Sequence, residues 1–109
     1  MGYNSDITVV IVNYKVKEYV GNLLDSLQKA CKNFDLQTIV VDNNSQDDSV
    51  AYLKKNHPKV EYIQNSTNIG FGGANNQAIK RATGKYTLLI NPDTILSEDT
   101  LSTLFSYME

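Results

Sequence analysis

The stretch Leu88-Leu89-Ile90-Asn91-Pro92-Asp93-Thr94 is apolar for three residues and then abruptly polar. Such a run reads as a buried strand that delivers a carboxylate to a sheet edge. Pro92 has no amide hydrogen and a fixed φ, so a β-ladder does not easily continue through it. Asn91 and Asp93 are thereby left where a strand emerges into a crevice. The rest of the chain is then read for companions to that strand end.

Immediately upstream, Tyr86 to Ile90 form the strand itself, and Gly84 is placed to terminate a helix running from Ala74 to Ala82. Before that helix lies a glycine- and asparagine-rich loop, Asn65 to Gly73 (Asn-Ser-Thr-Asn-Ile-Gly-Phe-Gly-Gly), preceded by a short strand from Val60 to Ile63. Downstream, Ser97-Glu98-Asp99 caps a last helix whose apolar face includes Leu101, Leu104 and Phe105.

The N-terminal part repeats the pattern. Ile7 to Val12 is a β-branched run ending at Asn13-Tyr14, and a nearly continuous apolar strand marks a sheet buried on both faces. Tyr19, Val20, Leu23, Leu24, Leu27 and Cys31 recur at helical spacing, so Val16 to Ala30 reads as an amphipathic helix. Thr38 to Val41 is another buried strand, halting at Asp42-Asn43-Asn44-Ser45. Ser45 with Asp47 and Asp48 reads as a helix N-cap region with acid in the first turn. The helix continues from Val50 to Lys55 and ends at His57-Pro58. Strands alternating with helices imply βαβ units with right-handed crossovers. The expected fold is α/β: a Rossmann-like, mostly parallel sheet of about four strands flanked by helices.

Composition narrows the function. A chain of 109 residues with 41% apolar and 20% charged residues is one domain or part of one. The formal charge of −2, with scattered Lys and Arg, leaves no electrostatic footprint for nucleic acid. One cysteine rules out an internal disulfide, and with one histidine a Cys/His zinc site is excluded. No apolar stretch approaches the roughly 20 residues needed to span a bilayer, and no signal-peptide core is present. A cytoplasmic location is the expectation.

In an open α/β sheet the ligand lies outside the carboxyl ends of the strands. Three such ends are polar: Asn13-Tyr14, Asp42-Asn43-Asn44 and Asn91-Pro92-Asp93. The loop after the third strand adds Asn68 and Gly70. Asx and Gly residues also make turns on their own account, and for any one cluster the two readings weigh equally. Asp42 either accepts hydrogen bonds from a nucleobase or ribose or holds its own turn. Tyr14 either packs beside a base or joins the core. Asp93 is a hard oxygen ligand suited to Mg²⁺ or Mn²⁺. Neither G-x-G-x-x-G after the first strand nor a P-loop is present. Cys31 falls on an apolar helix face and reads as core. His57, the single histidine, reads as a surface residue in a connection, so no Ser-His-Asp arrangement can be argued.

Val9-Val10-Ile11-Val12-Asn13-Tyr14, Val40-Val41-Asp42-Asn43-Asn44-Ser45 with Asp47, Asn68-Ile69-Gly70 through Ala74-Asn75-Asn76, and Leu89-Ile90-Asn91-Pro92-Asp93 follow one another in a specific order and spacing. In that order the chain resembles the N-terminal half of an inverting family 2 glycosyltransferase with the GT-A fold. It is similar to the branch that includes rhamnosyltransferases of bacterial polysaccharide synthesis. The resemblance implies that residues 1–109 are the donor-binding part of the domain and that the donor is a dTDP- or UDP-sugar. It further implies a saccharide or lipid-linked acceptor for the full enzyme, which would work in the cytoplasm or at the inner face of the membrane. Val12, Asn13 and Tyr14 would line the base pocket, Asp42 and Asn43 would face the base and ribose, and Asn68 and Gly70 would belong to the same nucleotide site. Asn91-Pro92-Asp93 stands where the family has its D-x-D element, which would make Asp93 the ligand of a divalent cation. Asn91 replaces the first acid of that element, Asn43 replaces an acid, and Asn75 stands where many members carry an arginine that could meet phosphate; Asn75 and Asn91 would thus also belong to the nucleotide site. The family's catalytic base lies in the second half of the domain, beyond residue 109, so no catalytic residue is assigned here. An uncovered sheet edge would favour homo-oligomers.

Other readings are a non-catalytic nucleotide-binding module, a sugar nucleotidyltransferase-like enzyme and a flavodoxin-like response domain. A nucleotidyltransferase would want a glycine-rich basic loop after the first strand, which Asn13-Tyr14-Lys15-Val16 is not. A response domain would want an acid pair there.

Overall fold

Alternating β-branched residues direct two opposite faces of one strand into two different layers. Thus β1 (Ser5–Asn13) sends Ile7, Val9 and Ile11 to one side of the sheet and Thr8, Val10 and Val12 to the other, all of them buried. These assignments come from a computed structural model that describes residues 5–30 and 35–92.

After β1 the chain forms α1 (Lys17–Ala30), β2 (Leu36–Asp42), α2 (Ser49–Asn56), β3 (Glu61–Gln64), α3 (Gly70–Ile79) and β4 (Gly84–Leu89). The sheet order is β3-β2-β1-β4, and every neighbouring pair is parallel. The α/β expectation therefore holds. Val20, Leu23, Leu24 and Leu27 of α1 and Leu53 of α2 pack with Ile7, Val9, Ile11 and Val40 on one face. Each such side chain contributes about 1.5–3 kcal/mol by burial. On the opposite face Ala74 and Ala78 of α3 meet Val10, Val12, Ile39 and Val41. Alanines bring that helix close to the sheet, which is why a glycine-rich segment of low intrinsic helix propensity is held as a helix.

The order places β1 at a switch point. From β1 the chain steps to β2 and β3 on one side, then returns through α3 to β4 on the other. The last ladder partners of β1 and β4 are Val10 and Leu89, whereas β1 pairs with β2 as far as Asn13 and Asp42. The end of β4 therefore lies three residues, or about 10 Å, below the end of β1.

Several local expectations are corrected. The helix after β3 begins at Gly70 and ends at Ile79, so the loop stops at Ile69 rather than Gly73. Gly84 does not close that helix but opens β4: a Cβ there would sit 2.4 Å from the backbone nitrogen of Thr8. The strand formed is not buried on both faces. Tyr86, Leu88 and Ile90 are partly buried, with Leu88 and Ile90 packed toward α1, while Lys85, Thr87 and Leu89 on the α3 side are exposed. The physical reason is that α3 covers β1 and β2 and leaves that face of β4 open. Ser45 does not cap α2; Asp48 occupies the N-cap, and Asp47 Oδ1 accepts from the Ser49 amide at 2.9 Å. His57 is not a surface residue, because its side chain is only 9% exposed and its Nε2 lies 3.0 Å from Asp25 Oδ1. Cys31, Asp93 and the last helix proposed from the sequence lie outside the described residues.

Candidate functional site

The ends of β1 and β2 are joined by a closed set of buried polar contacts. Asn13, wholly buried, donates from Nδ2 to Asp42 Oδ1 at 2.7 Å and to Ser45 Oγ at 3.2 Å. Ser45 Oγ donates to the same Asp42 oxygen at 2.6 Å and accepts from the Lys15 amide at 2.9 Å. The Ser45 amide reaches Asp42 Oδ2 at 3.3 Å, and the Asn43 amide donates to the Asn13 carbonyl at 2.9 Å. An ionised carboxylate only accepts, so the Asn13 amide must turn its NH₂ toward Asp42. Its Oδ1 is left buried with no partner. Lys15, Asn44 and Gln46 all take positive φ (58°, 66° and 58°), which the surrounding hydrogen bonds sustain.

A second set of contacts ties β2 to α3. Asn43 Nδ2 donates to the Gly70 carbonyl at 3.1 Å, while its Oδ1 accepts from the Ile69 amide at 3.0 Å and from Asn65 Nδ2 at 3.4 Å. Asn65 and Gln77 exchange two side-chain bonds, each of 2.8 Å. The Gly70 amide donates to Asn68 Oδ1 at 2.9 Å, and Gly70 itself has a φ of 81°, a conformation glycine supplies without strain.

The structure thus separates the residues that the sequence grouped. Asn13, Asp42 and Asn43 are at most 3% exposed, and their side chains hold the rim together. Between the two readings left open for Asp42, its oxygens are engaged in holding the turn. Asn75 is buried on α3 and does not stand open on the rim. By contrast, Val12, Tyr14, Val16, Asn43, Asn68, Phe71, Asn91 and Pro92 line one cleft of about 330 Å³. Tyr14 is 43% exposed at this cleft and so does not join the core.

Sequence reasoning missed Phe71, Asn65 and Gln77. Phe71, 56% exposed between glycines, carried a legible signal: a large aromatic flanked by residues without side chains. No carboxylate, ammonium or guanidinium lines the cleft among the described residues. At its margin Lys15 Nζ sits 5.2 Å from the Tyr14 ring centre. Further along the α1 end of the rim, Lys17 pairs with Asp48, whose hydrogen bond raises the ammonium pKa above its usual value.

The described residues contain no group of three His, Cys, Asp or Glu side chains able to hold a metal. Asn91, exposed in the cleft lining, offers an amide oxygen two residues before Asp93. That oxygen is a hard donor of the kind that fits a cation finishing its coordination on phosphate and water, and Asp93 lies outside the described residues.

Comparison with known proteins bears directly on this arrangement. The family model described as "Glycosyl transferase family 2" matches residues 8–109. The Haloferax volcanii protein named low-salt glycan biosynthesis hexosyltransferase Agl10 is 27% identical over 105 residues, which are 93% of this chain and 32% of that protein. The Escherichia coli rhamnosyltransferase WbbL is 26% identical over 110 residues, covering 94% of this chain and 40% of that one. Among solved structures, S. aureus TarS 1-349 in complex with UDP-GlcNAc superposes with a TM-score of 0.82 at 28% identity, over 94% of this chain and 31% of that chain. The chain spans 32%, 12% and 17% of the length of the first three curated relatives.

Proposed function

The chain belongs to glycosyl transferase family 2, and from that premise we propose that it is the donor-binding part of a sugar-transferring enzyme. The donor is a dTDP- or UDP-sugar, and the acceptor is a saccharide or lipid-linked hydroxyl in polysaccharide synthesis. The observation that carries the reading is the cleft at the switch point, where Val12, Tyr14, Asn68, Phe71 and Asn91 converge from three separate segments. Its lining of aromatic rings and neutral amides suits a nucleoside better than a free phosphate.

The residues of this chain bind and orient the donor. Tyr14 and Val12 give the base an apolar wall, and the Asn68 and Asn91 amides offer donors and acceptors to its polar edge or to the ribose. The Asn13–Asp42–Ser45 contacts hold that wall at a fixed height, so ordering it costs little when the donor arrives. Asp93 and Asn91 would hold Mg²⁺ or Mn²⁺, which when bound supplies positive charge to the diphosphate oxygens. The carboxylate that deprotonates the acceptor is expected outside residues 1–109, and the working location is the cytoplasm or the inner face of the membrane.

Calorimetric titration of UDP and dTDP into this chain, with and without Mn²⁺, tests the reading. Saturable binding that weakens on Asp93→Ala only when Mn²⁺ is present is the expected result. No binding of either nucleotide would remove the donor site. Binding indifferent to Mn²⁺ and to Asp93 would keep the nucleotide and remove the cation.

A further inference from the structure

From the first turn of α3 we infer that Phe71 is a stacking platform for the base of the bound nucleotide, opposite in origin to Tyr14, which directly follows β1. The inference rests on the donor-site reading and adds to it a contact residue that the family motif does not single out.

Three observations converge on Phe71. It is the most exposed of the large apolar residues that line the cleft. Burying it against the protein would have been favourable, yet the fold leaves it open while neighbouring Ala74 and Ala78 are fully buried. Its flanks are also bare. Gly70 is explained by its positive φ, but Gly72 has no such φ, and a Cβ built on it meets nothing within 4 Å. Glycine inside a helix weakens it relative to alanine, and the packing of this chain gives no reason for glycine at position 72. With no side chain at position 72, nothing from that neighbour covers the exposed ring. The charge-free lining is the third: a π-face against a neutral ring system gains from stacking without competing for hydrogen bonds.

Isothermal titration separates this from the alternatives, using the 109-residue chain with UDP, dTDP and inorganic pyrophosphate in the presence of Mn²⁺. Phe71→Ala is expected to weaken UDP and dTDP by about tenfold, within the range of base–aromatic stacking. Phe71→Tyr should stay within about threefold of the parent, and pyrophosphate affinity should not change in either variant. Because Phe71 is exposed, circular dichroism and thermal midpoints should match the parent. Gly72→Ala should raise the thermal midpoint and weaken nucleotide binding at the same time. Equal nucleotide affinity in Phe71→Ala and parent overturns the inference and leaves the donor site standing. Equal weakening of nucleotide and pyrophosphate also overturns it, by assigning Phe71 a general structural role. A parent chain that binds no nucleotide overturns the donor site and this inference together.

Discussion

Between β1 and β2 the rim is closed by side chains bonded to one another, whereas between β1 and β4 it is open. On the first side Asn13, Asp42, Asn43 and Ser45 are buried and each contacts at least one other member of the group or the α3 turn. On the second, Asn91 and Leu89 are exposed, and the ladder between the strands stops at Val10 and Leu89. Similar asparagine-rich strand ends therefore do different work. One side fixes the height of the cleft wall, and the other presents groups to whatever enters.

The largest way to break this contrast is Gly84→Ala. The added methyl would meet the Thr8 nitrogen at 2.4 Å and the Ile7 carbonyl carbon at 2.6 Å, both backbone atoms that cannot swing away. We expect a loss of about 3 kcal/mol or more in urea unfolding, with β4 displaced from β1. Next comes Asp42→Ala on the closed side. It strands the Asn13 amide, the Ser45 hydroxyl and the Ser45 amide in a buried place, and should cost about 2–3 kcal/mol in the same measurement. Ser45→Ala removes the bridge to the Lys15 amide and should cost about 1–2 kcal/mol. On the open side Leu89→Thr should change stability by no more than about 0.5 kcal/mol. If copies of the chain associate through the uncovered face of β4, sedimentation should show less self-association in that variant.

The smallest effect is set by pH. Hydrogen bonding from Ser49 holds the Asp47 carboxyl below its ordinary value of 3.8. A depressed folded pKa means a contribution that is full above the unfolded value and is lost as pH falls through the folded one. Unfolding scans below pH 4 should therefore show a slightly steeper acid loss in the parent than in Asp47→Asn.

What was legible in the sequence follows from the range of each interaction. The β-branched runs at Ile7–Val12 and Thr38–Val41 announce buried parallel strands because their faces are both apolar, a local property. The strand ends at Asn13 and Asp42 are likewise legible locally, but which partner each amide or carboxylate chooses depends on residues about thirty positions away. Gly84 looks like a helix terminator in the sequence because its reason for being glycine is the Thr8 backbone, far off in the chain. The start of α3 is hidden in the sequence for the related reason that Gly-Phe-Gly-Gly has poor intrinsic helicity, which packing through Ala74 and Ala78 overrides. His57 reads as a surface residue because its neighbour Pro58 suggests a loop, and nothing local reveals Asp25.

The stagger between β1 and β4 has a consequence for how such a cleft is tuned. Lengthening β4 by two residues would keep every side chain on its own face, because strand periodicity is two. It would also raise the lower ledge by about 7 Å, most of the way to the level of Asn13. Cleft depth is therefore a matter of strand length, adjustable by insertion or deletion in steps of two. The chemistry of the wall is set separately, by the contacts that join β1 to β2.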